Sequence, residues 1–341
     1  MTVAEAKRWT EPGAYPVAPG VHRIPLPLPM DGLRAVNVYA IETDEGLTLI
    51  DGGWAIEESR SLLERSLADI DRKVADITRF LVTHVHRDHY TQAVTVRREF
   101  GSHVSLGLGD KPTLDLIHAD DVEEDPYLEM LRQAGAPDVA DEWATFTKDS
   151  TPDRSIWGYP DTWLDGDHTI PVGARTLDAV STPGHTQGHF VFADRPAGLL
   201  FAGDHVLPTI TPSIGFEPVL ATLPLGDFLT SLAKVRALPD LQLLPAHGPV
   251  TSSSHARVDE LVAHHDERLD LCREAISASA GSAHEVAHQL PWTRHARRFS
   301  ELDVFNAALA TLETRAHLEL LVARGELARS DTDGTLVYAL P

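Results

Sequence analysis

Four short apolar runs in this chain each close on side chains that can hold a metal ion, and that recurrence limits the folds open to it. Arg79-Phe80-Leu81-Val82 leads into Thr83-His84-Val85-His86-Arg87-Asp88-His89, which packs three imidazoles and one carboxylate into six positions. Leu177-Asp178-Ala179-Val180 leads through Pro183-Gly184 to His185, Gly198-Leu199-Leu200-Phe201-Ala202-Gly203 delivers Asp204, and Leu241-Gln242-Leu243-Leu244-Pro245-Ala246 delivers His247. A fifth run, Leu47-Thr48-Leu49-Ile50, ends at Asp51-Gly52-Gly53. Short apolar runs closed by Gly or Pro read as buried strands. With their ends on one rim, the following loops open together and residues as distant as His84 and His247 share a site.

Helices are expected between these strands. Residues 56–70 carry Ile56, Leu62, Leu63, Leu67 and Ile70 at helical spacing, and residues 226–238 do the same with Phe228, Leu229, Leu232, Val235 and Leu238. Val21 to Ile24 and Val36 to Ile41 add two early strands, while Pro25, Pro27 and Pro29 demote the stretch between them to a loop or an edge. Strands alternating with helices in each half predict an α/β protein, two sheets face to face with helices outside.

The ordered set HxHxDH (His84 to His89), GHTxGH (Gly184 to His189), Gly203-Asp204 and Ala246-His247-Gly248 resembles the metallo-β-lactamase-fold hydrolases and, within them, the glyoxalase II-like branch. The resemblance covers roughly residues 20–250 and implies the αββα sandwich of that family. It implies that His84, His86 and His185 hold one metal, that Asp88, His89 and His247 hold a second, and that Asp204 bridges the two. Two Zn2+ ions are the implied cofactor, with iron or manganese as the other choices. Neutral imidazole suits zinc, and a bridging carboxylate offsets the charge of two cations without a thiolate. Paired ions lower the pKa of a water towards neutrality, which makes Asp88 and Asp204 the catalytic candidates, as groups that orient the nucleophile and accept its proton.

Other positions take supporting roles in this reading. Asp51 resembles the family's buried loop-orienting Asp. His189 and His205 are read as structural, because the seven ligand positions are already filled. Where relatives have a small Gly-rich turn, this chain has Tyr90-Thr91-Gln92-Ala93, so a phenol stands near the site and is read as packing rather than as an oxyanion donor. The stretch from Val206 to Pro218, with Pro208 and Pro212, is expected to form a stiff wall by the metals.

Composition narrows the class of partner. The chain has 341 residues, enough for two domains, and a formal net charge of -22, with 51 Asp plus Glu against 29 Lys plus Arg. That charge opposes nonspecific binding to nucleic acid or anionic membranes. Met1 to Pro12 is polar where a signal peptide needs an apolar core, which predicts a cytoplasmic protein with no membrane attachment. Cys272 is the only cysteine, so no intrachain disulfide can form; Leu269, Leu271 and Ile276 around it predict a packed thiol.

The domain organisation expected is an N-terminal extension at 1–20, a catalytic domain at 21–254 and a C-terminal domain at 255–341. Within the catalytic domain, residues 107–165 read as a helical, aromatic insertion of the kind that forms lids, with Trp143, Phe146, Trp157, Tyr159 and Trp163 and the acidic run His118 to Asp125. In the C-terminal part, helices are expected at 257–279, at 283–290 behind a Ser282 cap, and at 303–323, followed by a hairpin turning at Asp333-Gly334. Helices before such a hairpin resemble the winged-helix module of some hydrolases of the family. Nine Arg and no Lys against fourteen Asp plus Glu argue against nucleic acid and for packing or a homodimer, and Arg294, Arg297 and Arg298 form the one basic cluster.

The function expected is a dinuclear zinc hydrolase acting on a small molecule with an activated carbonyl, a thioester first and a lactone or other ester second. Phosphodiester or RNA cleavage, as in β-lactamase-like endoribonucleases, and oxidation at a single iron, as in sulfur dioxygenases, are the alternatives. Classical zinc β-lactamases fit less well, since no cysteine ligand is present while His89 and Asp204 are.

Overall fold

Along β3 (Ala35–Thr43) successive side chains enter two different cores, and this alternation is what layers the molecule. Val36, Val38 and Ala40 join Leu47, Leu49 and Phe80 in one core; Tyr39 and Ile41 join Ile50 and Leu81 in the other. A sheet buried on both faces reads as a continuous apolar run, which is why these strands show little polar alternation. The computed structural model describes residues 9–29, 32–120, 124–148, 153–279, 281–293 and 296–341. They divide into two compact units: the described residues of 1–118, 153–212 and 231–258 form the first, and those of 119–152, 213–230 and 259–341 the second.

The first unit holds two sheets. One runs in sequence order: β1 (Tyr15–Ala18), β2 (Val21–Pro27), β3, β4 (Gly46–Ile50), β5 (Ile77–Leu81), β6 (His103–Gly107) and β7 (Thr162–Leu164). Its pairs are antiparallel from β1 to β4 and parallel from β4 to β7. The other sheet contains β8 (His168–Val172), β9 (Arg175–Ser181), β10 (Phe190–Asp194), β11 (Leu199–Gly203) and β12 (Gln242–Pro245), in the order β12-β11-β10-β9-β8, with only β11 and β12 parallel. Ile170, Leu177, Phe190, Phe192, Phe201 and Leu244 of this sheet meet Val21, Tyr39, Ile41 and Leu81 of the first, so the second core is the sandwich interior. On the outer face of the first sheet, helices α1 (Glu57–Ala68) and α2 (Arg87–Phe100) supply Leu62, Leu63, Leu67, Tyr90, Ala93 and Val94.

The prolines of β2 have a physical place. β1 pairs with β2 only at Val21 to Arg23, so Pro25 and Pro27 lie where β2 has β3 alone as a partner and a missing N–H costs no ladder bond. Residues 15–18, expected within a loose extension, form the strand β1.

After α3 (Lys111–His118) the chain enters the second unit with α4 (Pro126–Gln133) and α5 (Pro137–Thr147). Helix α6 (Pro224–Ala237) starts in the second unit and ends in the first, and α7 (Ser254–Ala278) runs the other way. The second unit is completed by α8 (Ala283–Ala287), α9 (Val304–Ala323) and the antiparallel hairpin β13 (Ala328–Thr332) and β14 (Thr335–Ala339). Ser282 caps α8 through a reciprocal box with Glu285, and Asp303 caps α9 by accepting from Asn306 N. Asp333 and Gly334 both have positive φ, 52° and 85°, as a tight two-residue hairpin turn requires.

The stretch 107–165 is therefore not one inserted piece. Its beginning and end, including α3 and β7, belong to the first unit, and Trp157 and Trp163 pack against that unit's helix-side core. Its middle belongs to the second: Ala134 O accepts from His284 N at 3.0 Å, and Trp143 stacks among Tyr127, Phe146, Phe216 and Phe305. The expected wall, residues 206–218, likewise divides after Pro212. Part of the acidic run (Asp121 to Glu123) and Arg294 of the basic cluster lie outside the described residues; Arg298 pairs with Glu301 at 3.3 Å. Among the described residues no helix is long and apolar enough to cross a membrane.

Candidate metal centre

Every ligand candidate read from the sequence lies just beyond the end of a strand of the first unit. His84 and His86 occupy the loop between β5 and α2, and Asp88 and His89 the first turn of α2, where the helix dipole favours the Asp88 carboxylate. His185 lies in the loop between β9 and β10, Asp204 directly follows β11, and His247 follows β12. The strand ends share one rim, so four loops from two sheets bring these side chains together. Among the described residues three groupings have ligand atoms within 4.8 Å of one another: His84, His86 and His185; His84, His89 and Asp204; and Asp88, His89 and His247.

Hydrogen bonds fix which imidazole nitrogen faces the cluster. His247 Nδ1 lies 2.8 Å from Ala35 O, an acceptor only, so Nδ1 carries a proton and Nε2 is the nitrogen left to face the cluster. His89 Nδ1 donates to Asp51 Oδ2 at 2.9 Å, with the same consequence. Thr83 Oγ1 donates to Asp51 Oδ2 at 3.1 Å and thus accepts from His84 Nδ1 at 3.0 Å. The Nε2 atoms of His84, His89 and His247, and Asp204 Oδ1, are buried without a hydrogen-bond partner. Buried lone pairs left open are costly unless something fills them, and four converging from neutral nitrogen and carboxylate oxygen fit a borderline divalent cation such as zinc. His247 Nε2 lies 3.3 Å from Asp204 Oδ1 and 3.4 Å from Asp88 Oδ2, and Asp204 Oδ2 lies 3.7 Å from His185 Nε2. Asp204 thus presents one oxygen towards each group of histidines.

Electrostatics keep the cluster ready for cations. Burial alone would raise the Asp88 and Asp204 carboxyls and lower the His89 and His247 imidazoles, but their mutual attraction wins and holds both carboxyls below and both imidazoles above their ordinary values, so a cation would take the place of the Nε2 protons. Burial, with His89, His86 and His185 adding to it, pushes His84 well down, so it stays neutral.

The supporting residues resolve as well. Asp51, in the left-handed region at φ 62°, accepts from Thr83 N at 2.7 Å besides its bonds to Thr83 Oγ1 and His89, and so holds the start of the ligand loop. His189 has both nitrogens engaged: Nε2 accepts from Asp204 N at 3.2 Å and Nδ1 donates to Thr182 Oγ1 at 2.9 Å, so it steadies the backbone of Asp204 and has no lone pair for a metal. His205 is buried, and burial pushes it down to about 3 against a backbone hydrogen bond with Ser231. Tyr90 is fully buried and donates to Gly158 O at 2.5 Å, which ties α2 to the segment before β7. Sequence reasoning missed Asp110. It is 1% exposed and accepts from Val85 N at 2.8 Å and Gly188 N at 2.7 Å, between ligands on two loops.

The Metallo-beta-lactamase superfamily pattern matches residues 31–247. The chain belongs to this superfamily. It is 27% identical over 237 residues to a beta-lactamase-like protein 2 homolog of Caenorhabditis elegans, covering 69% of this chain and 63% of that one. It is 24% identical over 328 residues to a probable metallo-hydrolase of Bacillus subtilis (strain 168), covering 93% and 95%. It is also 22% identical over 304 residues to an atrochrysone carboxyl ACP thioesterase of Paecilomyces divaricatus, covering 86% and 79%. The chain thus spans less than two thirds of the nematode relative and nearly all of the bacillary one. Among solved structures, a metallo-beta-lactamase family protein from Thermus thermophilus shares the fold, with a TM-score of 0.79 and 24% identity over 96% of this chain and all of that one. As members of a metal-dependent superfamily do, this chain brings histidines and carboxylates into groups suited to metal.

Proposed function

We propose that the chain is a dinuclear zinc hydrolase that cleaves an activated carbonyl, with a thioester as the first substrate class and a lactone or other ester as the second. The observation that carries the reading is the convergence of buried, unpartnered Nε2 atoms of His84, His89 and His247 with Asp204 Oδ1. His84, His86 and His185 would hold one ion, Asp88, His89 and His247 the other, and Asp204 would serve both. When bound, such ions supply Lewis-acid activation of a water and of the scissile carbonyl.

The chain's own residues do the rest. Asp51, Thr83 and Ala35 O fix the tautomers of His89, His84 and His247 so that lone pairs face inward. Asp88, a carboxylate in the first turn of α2, accepts the proton of the attacking water and returns it to the leaving group. A thiolate is a good leaving group and needs little protonation, which suits a site whose proton carriers are carboxylates. The thioesterase among the relatives supports the same substrate class. For the C-terminal residues we keep a winged-helix-like reading with a packing role, since acidic groups outnumber Arg there fourteen to nine.

The test pairs elemental analysis of gently purified protein with hydrolysis of a panel of acyl thioesters, lactones, a cephalosporin and single-stranded RNA. Two zinc per chain with thioester turnover is the expected result. One iron per chain and no hydrolysis would overturn it.

A further inference from the structure

We infer that Asp110 is the positioning residue that sets the spacing of the two ligand loops, and through them the geometry of the His84, His86 and His185 metal group. This rests on the metal reading above. One carboxylate oxygen of Asp110 accepts from Val85 N, the amide between His84 and His86, at 2.8 Å. The other accepts from Gly188 N, three residues beyond His185, at 2.7 Å. A single buried anion therefore takes one backbone donor from the loop after β5, in the first sheet, and one from the loop after β9, in the second. Hydrogen bonds from N–H to an ionised acceptor are short and strong, and both oxygens of one carboxylate are rigidly linked.

The packing around Asp110 shows that this contact is built for close approach. A Cβ on Gly107 would overlap Gly188 O, one on Gly109 would overlap Gln187 O, and one on Gly188 would overlap Asp110 N. The Gly107-Leu108-Gly109-Asp110 segment is thus seated directly on the Gln187-Gly188 backbone, which no side chain at these glycines would permit. A second tie runs alongside, from Phe190 N to Thr83 O at 2.8 Å. None of the ligands of the other group, Asp88, His89 and His247, is on the β9–β10 loop, so the effect of Asp110 falls on one group more than the other.

The test is cobalt(II) titration of metal-free protein, followed by absorption spectroscopy, for the wild type, Asp110→Asn and Asp110→Glu. Asparagine offers one acceptor and turns an NH2 against the second amide, whereas Glu keeps both acceptors on a longer arm. With Asp110→Asn the two uptake steps should separate, one weakened roughly 10- to 100-fold and the other by much less, and Asp110→Glu should recover part of the loss. Two unchanged steps, or both weakened equally in step with lower thermal stability of the metal-free protein, would overturn the inference. Wild-type protein that takes up no cobalt would instead overturn the metal reading, and this inference with it. Amide exchange on metal-free wild-type protein needs no variant: the Val85 and Gly188 N–H should both exchange slowly, and rapid exchange at either contradicts the clamp.

Discussion

Among the described residues histidines are buried in two places, and one of these has the makings of a metal centre. In the first unit the Nδ1 atoms of His84, His89 and His247 are spent on Thr83, Asp51 and Ala35 O, which leaves three Nε2 lone pairs beside two carboxylates. In the second unit His265 and His317 are equally buried, but they spend their nitrogens on each other. His317 Nδ1 donates to Glu313 O at 2.8 Å and its Nε2 accepts from His265 Nδ1 at 3.1 Å. One open nitrogen remains, His265 Nε2, and the Phe228 ring stands against that imidazole. Burial of imidazoles does not make a metal site; convergence of their free lone pairs with ionised oxygen does.

The contrast can be broken most severely at the carboxylates. Asp88→Ala and Asp204→Ala should each lower turnover roughly a thousandfold or more while the protein stays folded, whereas His317→Gln should leave metal content unchanged. An Asp88→Ala protein with full activity would remove the distinction. Chelation should abolish hydrolysis, and zinc at about a thousand times its Kd should return activity with about 4 kcal/mol of added stability, readable by thermal unfolding with and without the ion.

The second unit offers a sharper electrostatic test. Burial, partly offset by Arg268, pushes the Glu313 carboxyl up to about 7. A carboxyl raised above its unfolded value contributes stability that is complete below pH 4.5 and lost as pH rises through 7. His265 and His317, pushed down by burial to about 2 and about 3, act oppositely and lose stability as pH falls below 6.5. The difference between Glu313→Gln and wild type isolates the carboxyl: the variant should gain about 3 kcal/mol between about pH 4 and about pH 8, measured by denaturant unfolding. A flat difference would show that Glu313 titrates normally. Smaller again, Asp51→Asn should weaken metal uptake about 10- to 100-fold by loosening His89, without the loss of turnover at saturating metal seen for Asp88→Ala.

Much of the first unit was legible in the sequence because its signals are local. Short apolar runs closing on His or Asp marked β4, β5, β11 and β12, and the helical spacing around Leu62 and Leu232 marked α1 and α6. The seven candidate ligands stood out because they cluster in four motifs. Asp110 did not, because its partners are backbone amides 25 and 78 positions away, and no side-chain pattern records an N–H. A Gly-x-Gly-Asp sequence after a strand was the available signal. Tyr90 was read from its place in the motif as a packing phenol, and the helix buries it with its hydroxyl on Gly158 O. The division of residues 107–165 was hidden for another reason: Trp143 and Trp157 look alike in sequence, and only their ring and core partners assign them to different units.

The rim on which the strands end has a consequence for the chain as a polymer. With one cysteine, this chain can form no intrachain disulfide, and the candidate ligands span His84 to His247, nearly half the chain length. Ions seated there would close that long loop and fasten the loops of one sheet to those of the other, as a disulfide does for small secreted domains. Metal would then act as a late, removable suture: loss of the ions would return the freedom of the closed loop, and unfolding would start at the open rim of the sandwich while the opposite end still holds.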